Sequence, residues 1–225
     1  MPRITGSLDQ HRAAMRERIL VAVREIMTAD GVDRLSMAEV ANRSGLNRSV
    51  VYNYFADVRA LLIAHAEYET SRFTGELLRA LEGADDPADR IRVYVRQQLA
   101  DFAAYPQPAG PELATLLGPD GYKEMHAHVG PLGRLLTGII EDGVRAGEFA
   151  PCDPAATAHL VHACLGAERY PLGQGARDLG ETVERVTTFV LRSLGAETAV
   201  PAAPDGDGVT PGKAIDGQGD GGTAA

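Results

Sequence analysis

The sequence predicts an all-α protein of about nine helices. Two observations carry this. Apolar residues return at spacings of three and four along most of the chain, which places them on one face of a 3.6-residue helix. Glycines, prolines and short polar capping residues fall between those stretches, and nowhere does the pattern alternate with the period of two that a half-buried strand requires. The 225 residues suit one or two domains, and 44% hydrophobic with 24% charged residues is a globular composition.

Met15, Ile19, Val23 and Ile26 form one stripe of a first helix over about 10–29, stopped by Gly31. Ser36 followed by Glu39 has capping-box spacing and starts a short second helix that Gly45 ends. Asn47 is placed to cap a third over about 48–54, and Asp57 a long fourth carrying Leu61, Leu62, His65, Tyr68, Phe73, Leu77 and Leu81. Asp86-Pro87 with Asp89 opens the next helix, which runs to about Tyr105 before Pro106, Pro108 and Pro111 break the chain. A short helix over 112–117 is ended by Gly118-Pro119, and Gly130-Pro131 is expected to kink or split the stretch that follows. Leu132, Leu135, Leu136, Ile139, Ile140 and Val144 then form a helical face ending at Gly147. Asp153-Pro154 starts a helix to about 168, and a last one spans about 177–194. From Val200 onward the chain holds seven glycines and three prolines with no aromatic residue, so 200–225 is expected to be a disordered tail.

No apolar run is long enough to span a membrane and the N-terminal residues contain no signal-peptide core, so a cytoplasmic protein is expected. Cys152 and Cys164 lack metal-site spacing and read as reduced thiols. The net charge of −9 is unevenly spread: residues 1–55 sum to +2 and residues 56–225 to −11, so only the front of the chain can approach a polyanion without strong repulsion. Twenty of the 22 basic residues are arginine, a composition pointing to a GC-rich bacterial gene.

Residues 36–55, SMAEVANRSGLNRSVVYNYF, meet the demands of a helix-turn-helix. Ala41 is small where the two helices approach, Gly45 turns the chain four residues later, and Val51 packs the second helix back on the first, with Val40 and Leu46 completing a small core. Arg48, Ser49, Val50, Tyr52 and Tyr54 are then expected to face a DNA major groove and its phosphates. Arg48 suits guanine O6 and N7, Val50 a thymine methyl, and the tyrosine hydroxyls phosphate oxygens.

RILVAVREIMTADGVDRLSMAEVANRSGLNRSVVYNYFADVRALL resembles the N-terminal DNA-binding domain of the TetR/AcrR family of bacterial transcriptional regulators, over about residues 12–72. The resemblance implies a homodimeric repressor whose C-terminal helices bind a small ligand and form the dimer, with ligand binding releasing a near-palindromic double-stranded operator. The domains implied are 1–56 for DNA and 57–199 for ligand and dimerisation. The candidate DNA contacts are Ser36, Asn47, Arg48, Ser49, Val50, Tyr52, Tyr54 and Arg59. Two positions depart from the family: Val50 stands where Thr or Ser is usual, and Val58 where a Lys commonly holds a phosphate. Arg59 is one residue away but points about 100° round the helix.

Phe73, Tyr94, Phe102, Tyr105 and Tyr122, with Leu77 and Met125, are suited either to line a ligand cavity or to fill plain core. A dimer seam is expected from Ala156, Leu160, Ala163 and Ala167 on one helix and Leu179, Val183, Val186 and Val190 on the next. His159 and His162 lie three apart without a third ligand at helical spacing, and His126 and His128 point to different faces, so neither pair reads as a metal site. No cofactor is implied. No nucleophile–base pair or phosphate loop marks an enzyme. A DNA-binding regulator governed by a protein partner or by abundance, with no small ligand, stays open beside the ligand-released repressor.

Overall fold

The computed structural model describes residues 5–105 and 110–196, with side chains over 8–105, 117–118 and 130–196. Tyr122, Met125, His126 and His128 fall outside the described side chains, and the 200–225 tail outside the described residues. The elements are α1 (Thr5–Ala29), a 3-10 turn (Val32–Arg34), α2 (Met37–Ser44), α3 (Arg48–Tyr54), α4 (Val58–Leu81), α5 (Pro87–Ala104), α6 (Gly110–Ala146), α7 (Pro154–Gly173) and α8 (Leu179–Ser193). No strand occurs among the described residues.

Helix starts follow the predicted caps. Ser36 accepts a hydrogen bond from the Glu39 amide at 3.1 Å, Asp57 from Ala60 at 2.7 Å, and Asp86 from Asp89 at 2.6 Å with Pro87 in the first turn. The Ser36 box closes on one side only, because the Glu39 carboxylate turns to Arg43, 3.6 Å away. Asn47 sits at the N-cap position of α3 but its side chain makes no capping bond. α6 is two helical stretches joined at Gly118, whose φ of 67° and ψ of 173° interrupt the helix where Gly118-Pro119 predicts. Gly130-Pro131 does not split it: α6 stays helical through both residues. α7 runs past the expected end at 168 and carries Pro171 in its final turn.

Two hydrophobic cores result. The first joins Ile19, Leu20, Val23 and Ile26 of α1 to Val40 and Ala41 of α2, Val51 of α3, Phe55, and Leu61 and Leu62 of α4. Leu117, on the early part of α6, also packs into it. The second is built from α4 to α8, with α5 packed against α4, α6, α7 and α8. α4 therefore enters both cores: its first turns belong to the N-terminal unit, and Phe73 and Leu77 to the body.

Candidate nucleic-acid interface

The turn between α2 and α3 is tight. Gly45 adopts φ 64° and ψ 32°, a left-handed conformation that side chains disfavour, and a Cβ here would lie 2.8 Å from the Arg18 guanidinium. Val51 is fully buried against α2 and pins α3, while Asn47, Arg48, Ser49, Tyr52 and Asn53 stand exposed. Arg48 donates to the Tyr52 hydroxyl at 3.3 Å and lies over its ring, 5.6 Å from the centroid. The pair thus presents a guanidinium and a phenol side by side at the open end of a helix whose first amides carry partial positive charge.

Other predicted contacts sit differently. Val50 is half-buried, and Tyr54 is half-buried because its ring packs on the N-terminal core beneath Arg12. Ser36 is exposed with its hydroxyl engaged by the α2 amide. Arg59 is exposed on the first turn of α4, whereas Val58 packs partly into the core. Sequence reasoning passed over Asn53, four residues from Ser49 on the same exposed face. It also passed over the α1 arginines: Arg12 and Arg16 stack over Tyr54 and Phe55 at 6.0 and 5.7 Å. Their signal was the α1 spacing of four between the two arginines.

The body holds a second arrangement. Phe73 and Phe102 line a cavity of about 70 Å³ with Leu132, Thr70, Glu69, Gln98, Asp101 and Arg169. Leu77 and Tyr94 are packed into solid core beside it. The Tyr94 hydroxyl pairs with His162 Nε2 at 2.6 Å, and burial lowers the His162 pKa and raises that of Tyr94. Tyr105 is drawn out of the cavity and held between the guanidiniums of Arg24 and Arg72, 5.0 and 4.4 Å from its ring.

Those arginines form a partly buried ionic chain. Glu69 accepts from Arg24 Nε at 2.7 Å and from Arg72 Nε at 3.0 Å, and Arg72 donates to Asp101 at 2.5 Å. Burial lowers the Arg72 pKa, but the hydrogen bonds to Asp101 and Glu69 outweigh it and the net shift is upward. Burial raises that of Asp101 against the pull of Arg72. His65, one turn before Glu69, is held neutral by burial with its pKa pushed down to about 4. Since Arg24 belongs to α1, this chain fastens the N-terminal unit to the cavity wall.

The α7 face of Ala156, Leu160, Ala163 and Ala167 is exposed, and so are Tyr170 and, on α8, Phe189. The α8 half of the expected seam needs correction. Val186 and Val190 are buried in the core of their own chain, and Leu179 and Val183 pack partly against it. The α8 apolar stripe faces α5, and its outward face carries Phe189 instead.

Two family models match the chain. Residues 19–64 match that of the bacterial regulatory proteins of the tetR family, and residues 112–172 that of the tetracyclin repressor-like C-terminal domain. The chain belongs to the tetR family of bacterial regulatory proteins. An uncharacterized HTH-type transcriptional regulator of Mycobacterium tuberculosis is 30% identical over 83 residues, which is 37% of this chain and 41% of that relative's length. Two solved structures share the fold over most of the chain. The fatty acid degradation regulator FadR of Bacillus halodurans superposes with a TM-score of 0.69 at 17% identity, covering 81% of this chain and 97% of that one. FadR of Bacillus subtilis, in complex with stearoyl-CoA, gives 0.67 at 14%, covering 77% and 96%. Among the described residues no His, Cys, Asp and Glu cluster suits a metal, and no helix is long and apolar enough to cross a membrane.

Proposed function

We propose that the protein is a homodimeric repressor that reads a near-palindromic operator through α3 and leaves it when a small molecule occupies the body. One observation carries the release step: Glu69 lines the interior cavity and, from the same carboxylate, holds Arg24 of the DNA-side unit. A molecule that reorders the cavity wall therefore acts on α1 without touching DNA. The B. subtilis neighbour bound to stearoyl-CoA supports an effector in this fold. Two recognition helices must sit about 34–36 Å apart to enter successive major grooves, so a small tilt of the joint is enough to spoil the fit. By linkage, DNA must weaken ligand binding by the same factor as ligand weakens DNA binding.

The cavity's size favours a second reading. About 70 Å³ is well below the roughly 300–1,000 Å³ of typical ligand pockets, as expected of a regulator controlled by a protein partner or by abundance. One experiment addresses both. Duplexes selected by the full chain from a random pool should share two inverted half-sites about 10 bp apart, centre to centre, and a screen of lipophilic metabolites should find one that releases them. Selected sites without two-fold symmetry would remove the dimeric operator complex, and symmetric sites that no metabolite releases would leave the second reading.

A further inference from the structure

Resting on the reading of an effector-controlled regulator, we propose that the effector is an uncharged amphipathic molecule whose hydrogen-bonding head reaches Gln98. Gln98 is only 6% exposed and lines the cavity, and no side-chain hydrogen bond of its amide occurs among the described residues, while the amide atoms themselves are not sealed from the cavity. A primary amide offers two donors and an acceptor, and buried groups of this kind are nearly always bonded. The unspent bonding capacity of the cavity lies there.

The charged groups of the wall are already committed, with Glu76 as a further anion on Arg72 at 2.7 Å. Glu69 is held by Arg24 and Arg72, and Asp101 by Arg72. The Asp101 charge also supports Arg169, whose guanidinium lies over the Phe102 ring at 4.0 Å. An ionic head would shed its water and meet no uncommitted counter-charge, a penalty that ordinarily exceeds the attraction gained. A neutral head escapes that penalty and still satisfies Gln98.

The space sets the shape. A cavity of about 70 Å³ admits a head of a few heavy atoms, since water takes roughly 30 Å³ in the liquid. Thr70 lines this cavity and also a groove of about 520 Å³ between α4 and α6, bordered by Thr74, Leu78 and Pro131 together with the charged Glu67 and Arg134. Leu78 is 49% exposed there, and the Thr74 hydroxyl is buried without a partner. The apolar tail of the effector lies along that groove, with its head passing Thr70 to Gln98.

The test uses four probes with one tail: hexanamide, hexan-1-ol, hexanoate and hexylammonium, titrated calorimetrically into the full chain at pH 7. Hexanamide and hexan-1-ol should bind at least tenfold more tightly than either ion. Gln98→Leu should weaken hexanamide at least tenfold without lowering Tm, because no hydrogen bond within the chain is lost; a merely structural Gln98 would lower Tm. An ion that binds as tightly as the neutral probes, or no binding by any of the four up to millimolar concentration, overturns the proposal. So does hexanamide affinity unchanged in Gln98→Leu. Selective binding of hexanamide that leaves operator affinity untouched upholds the ligand class and sinks release instead.

Discussion

His65 shows how one buried group sets a pH limit. It is buried, beside Glu69, and burial pushes its folded pKa down to about 4 against an ordinary value of 6.5. The folded state therefore refuses a proton that the unfolded chain accepts. This stability is fully present above pH 6.5 and is lost as pH falls from 6.5 towards 4, in total on the order of 3 kcal/mol. Thermal melts at pH 7 and pH 5 should show a drop in Tm for the native chain, and His65→Asn should remove much of that drop. An equal drop in both proteins would mean that His65 titrates normally. At the DNA face, Tyr52→Phe removes a hydroxyl suited to phosphate and frees Arg48 from its bond. Anisotropy titrations should show weaker binding spread evenly over selected and unrelated duplexes, whereas a loss confined to one base step would make Tyr52 a base reader.

The α1–α4 seam is where the two units meet, and Glu69 is its centre. Glu69→Gln would leave Arg24 without its counter-charge, while Arg72 keeps Asp101 and Glu76, a loss on the order of 3 kcal/mol. Tm should fall, and hydrogen exchange should quicken in α1 more than in α8; uniform quickening would mean that the seam is not a separate fastening. Helix boundaries here were legible because they rest on local chemistry: Ser36, Asp57 and Asp86 cap the helices they precede in sequence. The helix-turn-helix was legible for the same reason, its demands lying within twenty residues. Gly130-Pro131 misled because a proline cost assessed on an isolated helix ignores the packing of Leu132, Leu136 and Ile140 that holds α6 together. The cavity wall was legible only in part. Phe73 and Phe102 announce themselves as large apolar residues, but Gln98, Asp101 and Arg169 are polar residues on half-buried helices, and only tertiary packing turns them inward.

For the molecule as a whole, the α8 stripe carries the plainest lesson. Its spacing marks an apolar face, but spacing cannot say whether that face meets its own chain or a copy. The structure turns it onto α5, so Val186→Glu should unfold the chain rather than split a dimer. Leu160, 64% exposed on α7, is the better probe of assembly. Leu160→Glu should shift sedimentation from dimer to monomer with Tm nearly unchanged; an intact dimer would take the α7 face out of the interface. The charge asymmetry between the +2 front and the −11 body further predicts that binding is steered through the front, and that operator affinity falls steeply as salt rises. The central claim, that α3 reads DNA, is met most directly by titrating a selected duplex with Arg48→Ala. The account predicts a loss of about 1–3 kcal/mol, selectivity relaxed at one base step, and an unchanged melt. Affinity and selectivity equal to those of the native chain would contradict it.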